Sequence, residues 1–443
     1  MLRCLTFICT LMFLLSACTP APVAPPPAAI RTQSAASDIP TSLNAQQYQE
    51  LSVKTILEEL EQGSQTALQA YLDWGRSQPE YFPGSRNAIG QSLIKAARGR
   101  RDFKLSATRI AEIEALLRTP ARAVSAEARQ PIDFTRDQGA HPSKLAEWWY
   151  YTGHLNTPEG TPYGFELCYF RVAPVIYFAH MAVTDEKNQR FTYERNFYRP
   201  SAVALARDKN QIRYGNVVSD QNAPFGYQLS VPVGKYTLKL QLSSEKAPLQ
   251  INGNGLIDMP EGLDSYYYSL TRLKTSGTLE MDGQSVPVTG QAWMDHQWGH
   301  FVALRIGWDW FSFQMEDGSE YNLFGFRKRN GQKLERYVNA FTSKGQPLHS
   351  KDFKIERLQW WRSPHTGRLY VTRWRVRLPQ TGETFEVEAV QPDQELAAVK
   401  AYDLAPTYWE GRCRIVKILP DGTRIPGVGY TEHFDYTRQI DAD

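Results

Sequence analysis

The stretch KYTLKLQL, residues 235–242, decides the fold class of most of this chain. Apolar side chains at every second position alternate with polar ones, namely Tyr236, Leu238, Leu240 and Leu242 against Lys235, Thr237, Lys239 and Gln241. Successive side chains of a β-strand point to opposite faces, so a period of two predicts one buried face and one solvated face. The stretch therefore predicts a strand of an antiparallel sheet.

The same period recurs between about residue 130 and the end of the chain. Residues 373–378 (RWRVRL) and 385–389 (FEVEA) repeat it, and turn signals of the DG and NG type separate such runs at 252–253, 282–283, 317–318, 330–331 and 421–422. Many short strands joined by such turns predict antiparallel barrels or sandwiches. About 300 residues exceed one small barrel, so we expect two β domains.

The first residues predict export rather than a fold. Arg3 precedes the apolar run CLTFICTLMFLL, and LSAC at 15–18 resembles a bacterial lipobox. We expect residues 1–17 to be a signal peptide and Cys18 to carry the lipid, although plain secretion is an alternative. A lipid on Cys18 would anchor the chain to a membrane on the periplasmic side of the cell envelope. Thr19 favours the outer membrane, by analogy with enterobacterial sorting.

Two further segments precede the β region. Residues 18–42 are rich in Pro and Ala, which predicts an extended tether. Residues 43–125 predict helices, because Val53, Ile56, Leu57 and Leu60 form one apolar stripe. Ser64 and Ser106 are the expected N-caps of two further helices. We expect this region to have a packing role or to dock an envelope protein partner.

Charge and cysteine content exclude some classes of function. The formal charge of +3 over 443 residues is close to neutral, and the chain has no long basic run, so nothing in it suggests a surface for nucleic acid. Cys168 and Cys413 remain after the predicted signal is removed, and a disulfide between them is permitted in an oxidising compartment. A buried free thiol is the expected state of Cys168, because its neighbours are aromatic.

Chemistry-bearing residues gather in aromatic clusters. These clusters are EWWYYTGHL (147–155), YGFELCYFRV (163–172), AWMDHQWGHF (292–301), GWDWFSF (307–313) and TYWEG (407–411). A carboxyl group buried among tryptophans has a raised pKa and can donate a proton, and the ring faces stabilise a cation. We therefore predict Asp295, His296 and Asp309 as catalytic residues. The predicted ligand-binding residues are Glu147, Trp149, His154, Glu166, Trp298, Trp308, Trp310 and Tyr321.

Three alternatives stay open for AWMDHQWGHF. Asp295 and His296 could form a hydrogen-bonded polar network that only fixes the junction of the two β domains. A metal site with His300 is disfavoured, because Gly299 and the strand pattern argue against a helix, and we predict no metal and no cofactor. A hydrolase triad lacks support, because the chain has no G-x-S-x-G sequence.

Several of these motifs, in this order, resemble a known family. EWWYYTGHL with YGFELCYFR, AWMDHQWG, WDWFSFQMEDGSEYNLF and the closing YWEGRCRIVKILPDGTRIPGVGYTEHFDY are similar to the AttH-like lipocalin family, which is related to the acyclic carotenoid 1,2-hydratases. The resemblance covers about residues 130–443 and implies two lipocalin-like β-barrels. It also implies that Trp308, Asp309, Trp310 and, more loosely, Tyr321 match the hydratase residues linked to catalysis. The chain has Asn322 where the closest match would have a carboxylate.

The expected architecture is mainly β: two lipocalin-like antiparallel barrels, at 126–290 and 291–443, after a small helical region. We expect an apolar ligand of isoprenoid or acyl type, and hydration or isomerisation by protonation of a double bond. A lipid carrier or envelope assembly protein without catalysis is the main alternative, and a secreted hydrolase is the second.

Overall fold

The computed structural model describes residues 45–77, 83–99, 105–118, 130–172, 174–258, 264–299, 306–328, 333–398 and 407–434. Within these residues, helices precede two curled antiparallel sheets, which confirms the predicted fold class. The predicted signal peptide, Cys18 and the tether lie outside the described residues, as does His300.

The helical region has four helices in its described segments. They are α1 (Ala45–Glu61), α2 (Thr66–Ser77), α3 (Pro83–Gly99) and α4 (Ala107–Arg118). Ser64 accepts the backbone N–H of Thr66 at 3.3 Å, and Ser106 accepts that of Arg109 at 3.2 Å, so both predicted caps are confirmed. Helix α3 was not predicted. None of the described helices has the length and apolarity needed to cross a membrane.

Thirteen strands form the first sheet. They are β1 (Ala146–Asn156), β2 (Pro162–Val172), β3 (Ile176–Asp185), β4 (Arg190–Tyr198), β5 (Val203–Leu205), β6 (Gln211–Tyr214), β7 (Val217–Ala223), β8 (Gly226–Val233), β9 (Tyr236–Ser244), β10 (Leu249–Gln250), β11 (Leu256–Asp258), β12 (Asp264–Met281) and β13 (Gln284–Gly299). Their order is β4-β3-β2-β1-β13-β12-β9-β8-β7-β6-β5, and β10 and β11 also pair with β12. Strand β8 contacts β3 and β4, so the sheet curls into a near-barrel.

Ten strands form the second sheet, which curls into a half-barrel. They are β14 (Ile306–Met315), β15 (Glu320–Lys328), β16 (Lys333–Phe341), β17 (Pro347–Ser350), β18 (Lys354–Arg362), β19 (Leu369–Leu378), β20 (Glu383–Ala389), β21 (Glu395–Leu396), β22 (Tyr408–Ile418) and β23 (Arg424–Phe434). Their order is β17-β16-β15-β14-β23-β22-β20-β19-β18, and β21 also pairs with β22.

The strand that decided the fold class behaves as its pattern predicts. In β9 the side chains of Tyr236, Leu238, Leu240 and Leu242 are buried in the core of the first barrel. The DG signal at 282–283 closes the β12–β13 hairpin, with Asp282 at φ 52° and Gly283 at φ 79°. Positive φ at both central residues of a two-residue turn favours Asp-Gly, which explains why this signal located the hairpin.

The boundary between the two barrels lies later than the sequence predicted. Strand β13 pairs with β1 and β12 up to Gly299, so it belongs to the first sheet, and the second sheet begins at Ile306. The predicted boundary between the two barrels, at 290/291, falls inside β13. AWMDHQWG therefore lies within a strand of the first sheet and does not form the connection between the two barrels. The two described thiols, Cys168 and Cys413, are both free and buried.

Candidate active site between the two sheets

Side-chain alternation along β13 separates two residues that are neighbours in the sequence. His296 lies between Trp149 and Tyr268 on the paired strands and faces the interior of the first barrel. Asp295 lies between Tyr150 and Ser269 and faces the second sheet. The predicted acid and its predicted partner therefore do not share a site.

His296 belongs to an ion cluster at one end of the first barrel. Its Nε2 lies 3.1 Å from Oε1 of Glu147, which is also 2.8 Å from Nδ1 of His141. Arg171 donates to Oε2 of Glu147 at 3.1 Å. The predicted ligand residues Trp149 and Trp298 lie here as well, and Trp298 stacks on His141 with ring centroids 4.1 Å apart.

The charges of this cluster favour ion pairing. Burial raises the pKa of Glu147, but His141, His296 and Arg171 outweigh it and hold the carboxyl well below its usual range. Burial lowers the pKa of His141, but Glu147 and Asp137 outweigh it, so the net direction is upward. Burial lowers the pKa of His296 to about 4. The cluster thus holds an ionised Glu147 against His141, whose pKa is raised, beside a neutral His296.

The same cluster is the group among the described residues whose donor atoms could hold a cation. One atom each of His141, Glu147 and His296 lies within 4.8 Å of the others. Arg171 and a protonated His141 already offset the charge of Glu147. This arrangement therefore fits a proton better than a divalent metal.

Asp309 lies in the interior of the second barrel, and its environment contradicts the predicted role as a proton donor. Its carboxylate contacts Arg327 at 3.0 Å, Arg357 at 3.1 Å and His433 at 2.7 Å. Burial raises the pKa of Asp309, but the two arginines and the His433 hydrogen bond outweigh it, and the net direction is strongly downward. The group stays ionised, because each partner stabilises its charge.

Asp295 is buried between the sheets and bound by side-chain donors. Ser269 donates to Oδ1 at 2.6 Å, Trp293 donates to the same oxygen at 2.7 Å, and Tyr267 donates to Oδ2 at 2.5 Å. Burial raises the pKa of Asp295 to about 7, against the lowering effect of these hydrogen bonds. Trp310 reaches the network through Tyr267, to which it donates at 3.0 Å.

A second group of carboxyls lies beside this network, and two of its members were not predicted. Glu410 and Glu432 are directly opposite each other on β22 and β23. The carboxyl of Glu166, on the first sheet, interacts directly with that of Glu410. All three side chains are buried. Two carboxyls in contact need a proton between them, because two buried like charges repel strongly.

Burial keeps this carboxyl cluster protonated near neutral pH. It raises the pKa of Glu166 to about 8 and that of Glu432 to about 7. Burial and the charges of Glu166 and Glu432 place the pKa of Glu410 well above its usual range. A buried acid that keeps its proton at neutral pH is suited to general acid catalysis.

Tyrosines and a histidine complete the cluster. Tyr150 donates to Oε1 of Glu410, and Tyr408 donates to Oε1 of Glu166 at 3.0 Å. Nδ1 of His180 lies 2.7 Å from the Tyr408 oxygen, which accepts from it because its own proton goes to Glu166. Nε2 of His180 has no hydrogen-bond donor or acceptor partner among the described residues.

Aromatic rings connect this cluster to the surface. Phe197 is exposed and lies 5.3 Å from the ring of Phe178, which stacks on Phe170 at 4.6 Å. Phe170 lies 5.0 Å from His180, and His180 lies 5.5 Å from Tyr408.

The remaining predicted residues lie either between the two sheets or inside the second barrel. Trp308 lies between the sheets, donates to Glu432 and stacks on Phe434 at 4.3 Å. His154 also lies between the sheets, where its Nδ1 accepts from Arg412 at 3.0 Å. Tyr321 lies in the second barrel and donates to Glu383 at 3.0 Å.

The sequence contained a signal for the unpredicted acids. Glu410 in YWEG and Glu432 in YTEHF are carboxylates among aromatic residues of a strand, as Glu166 is in GFELCYF. Three histidines that were not among the predicted site residues also lie inside the fold: His180 and His433 are buried, and His141 is nearly so.

Comparison with known proteins identifies the family. The AttH-like family matches residues 125–436, so the chain belongs to the AttH-like family. A candidate AttH from Nitrosomonas europaea is 25% identical, with a TM-score of 0.65 over 71% of this chain and 100% of that one. Kievitone hydratase from Nectria haematococca is 14% identical, with a TM-score of 0.57 over 71% of this chain and 95% of that one. No curated protein sequence matches.

Proposed function

We propose that this protein is a hydratase or isomerase that protonates a carbon–carbon double bond of an apolar, isoprenoid or acyl-type substrate. The observation that carries the proposal is the cluster of Glu166, Glu410 and Glu432, whose buried carboxyls keep a proton near neutral pH. Kievitone hydratase has the same fold, which supports this fold as a scaffold for hydration.

The acid in this proposal is the Glu166–Glu410 pair. Its shared proton is transferred to one alkene carbon, and the neighbouring carbon becomes a cation. The ring faces of Tyr150 and Trp310, which pack edge to face at 5.3 Å beside the pair, are placed to stabilise that cation. Addition of water then forms the alcohol, whereas loss of a proton from another carbon gives an isomer.

The proton released by water has a return path. His180 is held neutral, because burial lowers its pKa well below the usual range, and its Nε2 is open to accept a proton. Nδ1 can then pass its own proton to Tyr408, which passes its proton to Glu166. The acid is restored, and the net reaction is one alkene and one water to one alcohol.

The test is turnover by paired carboxyl-to-amide variants. Purified protein is incubated with a panel of polyenes, prenylated phenols and unsaturated acyl chains, and products heavier by one water or isomeric with the substrate are sought by mass spectrometry. Glu166→Gln and Glu410→Gln should each reduce turnover by at least about a hundredfold, the usual contribution of a positioned acid.

The matched control is Glu395→Gln. Glu395 is also a buried carboxyl, but its hydrogen bonds come from Thr366 at 2.6 Å and Tyr370 at 2.8 Å rather than from residues of the pair. The Glu395→Gln variant should keep wild-type turnover. Full turnover in both cluster variants would exclude this acid, and a copurified apolar ligand without product would favour the carrier.

We also propose that Cys18 carries a lipid that anchors the chain on the periplasmic side of the envelope. The supporting observation is the LSAC sequence after a short apolar run. Labelling with an alkyne fatty acid should mark the wild-type chain but not a Cys18→Ser variant. A labelled Cys18→Ser chain would contradict the proposal.

A further inference from the structure

Exposed apolar side chains are concentrated on one hairpin of the second sheet. Four large hydrophobic residues of the described chain are strongly exposed: Phe197, and Leu358, Trp360 and Leu369 at 38–40%. The last three belong to the hairpin of β18 and β19, and β18 is the edge strand of its sheet. The patch is therefore local to this hairpin.

Strand register places the patch on the outer face of the hairpin. Arg362 pairs with Leu369, and Trp360 lies two positions before Arg362 on the same strand, so Trp360, Arg362 and Leu369 share one face. Val371, which pairs with Trp360, is buried in the core of the second sheet. Leu358 has no paired residue, because the register shifts between Arg357 and Gln359. The side chains of the opposite face, such as Trp374, lie in the core of the second barrel.

The same hairpin is strongly basic. Residues 354–378 contain one acidic residue, Glu356, against seven basic ones, namely Lys354, Arg357, Arg362, Arg368, Arg373, Arg375 and Arg377. Arg375 is paired with Glu356 at 3.0 Å. Arg362 and Arg368 donate to the neutral carbonyl oxygens of Gly367 and Thr407.

The basic charge near the apolar tip is therefore not neutralised within the chain. None of Arg362, Arg368 and Arg373 forms an ion pair with another residue of the described segments. Two acids from the segment between β20 and β22 reach this turn: Asp393 is paired with His365 at 2.9 Å, and Glu395 accepts hydrogen bonds from Ser363 and Thr366. The whole chain has a charge of only +3, so this concentration is a property of the hairpin.

The turn that carries the patch is held firmly. Ser363 and Thr366 both donate to the buried carboxylate of Glu395, and the Ser363 hydroxyl also accepts the backbone N–H of His365 at 3.0 Å. The tip therefore presents Trp360, Arg362 and Leu369 in a fixed arrangement.

We propose that the outer face of the β18–β19 hairpin binds the surface of an anionic lipid bilayer. Tryptophan is favoured at the boundary between headgroups and acyl chains, where Trp360, Leu358 and Leu369 would insert. Arginines beside them would contact anionic headgroups. This contact is separate from the proposed catalytic site and does not depend on a lipid at Cys18.

Hydrogen–deuterium exchange of the full chain provides a local readout, which an anchor at the N-terminus would not mimic. The probes are vesicles of phosphatidylcholine, alone or with about one third phosphatidylglycerol. Peptides from 354–378 should exchange more slowly with the anionic vesicles than with the neutral ones. Peptides from 211–233, on the first barrel, serve as the internal control and should not change.

Two variants test the chemistry of the contact. Arg362→Gln with Arg373→Gln should raise the vesicle concentration that gives half-maximal protection about 25-fold, at about fivefold for each basic side chain. The control, Lys187→Gln with Lys209→Gln, removes the same amount of charge from exposed positions of the first barrel. It should leave the vesicle concentration for half-maximal protection unchanged. Trp360→Ser with Leu369→Ser should abolish protection.

Three results would overturn the proposal. They are no protection of the hairpin, equal protection by both kinds of vesicle, and protection that depends on protein concentration without vesicles. The last result would assign the β18 edge to a second copy of the chain.

Discussion

Glu166→Gln gives the sharpest test of the proton held between the two sheets. The pKa of Glu166 rises from its ordinary 4.5 to about 8 because its carboxyl is buried. Glutamine resembles the protonated acid, since it keeps an oxygen that accepts from Tyr408 and offers an N–H to Glu410. The variant therefore keeps the hydrogen bonds of the protonated pair and removes the need for a proton on Glu166.

The size and sign of the effect follow from proton linkage. Below pH 4.5 Glu166 is protonated in both folded and unfolded chains, so its stabilising contribution is fully present. Between pH 4.5 and 8 only the folded chain keeps the proton, so wild-type stability falls as pH rises. The rise in pKa corresponds to a loss of about 5 kcal/mol, an upper limit because Glu166 and Glu410 share the proton.

The assay is urea unfolding at pH 5, 7 and 9, followed by tryptophan fluorescence. Between pH 5 and 9 the wild type should lose about 2–5 kcal/mol more unfolding free energy than Glu166→Gln. The control, Glu395→Gln, should follow the wild type. Parallel pH curves for wild type and Glu166→Gln would refute the protonated cluster and remove the main support for acid catalysis.

Three further predictions concern the rest of the fold. Asp309→Asn should lower the unfolding free energy, measured by urea unfolding, by about 3–5 kcal/mol, because it leaves two buried arginines without their carboxylate. A loss of less than about 1 kcal/mol would contradict the ion cluster. Ser106→Ala should cost about 1 kcal/mol through loss of the α4 cap, measured by calorimetry, and an unchanged melting temperature would argue against the cap. Cys168 and Cys413 should both react with a thiol reagent in denaturant without reduction, whereas their silence would indicate a disulfide.

The extent of sequence-based prediction differs between the fold and the site. Period two identified the strands, and the same alternation puts Asp309 on the opposite face of its strand from Trp308 and Trp310. These are local properties, because alternation along one strand needs no knowledge of its neighbours. The two N-caps were predictable for the same reason, since a cap forms within three residues.

The carboxyl cluster depends on contacts between distant parts of the chain. Tyr408 binds Glu166 across 242 positions, and Tyr150 binds Glu410 across 260. Alternation places the adjacent Asp295 and His296 on opposite faces of their strand, which argues against one shared site, but it does not say which face meets the other sheet.

Period-two burial and turn chemistry act over a few residues, so the sequence was enough to predict two β domains after a helical region. Which acids meet depends on tertiary packing. Packing of the β1–β3 face against β22 and β23 brings Glu166, Glu410 and Glu432 together in a buried place. The raised pKa values of these three acids are a consequence of that burial, which no single stretch of sequence contains.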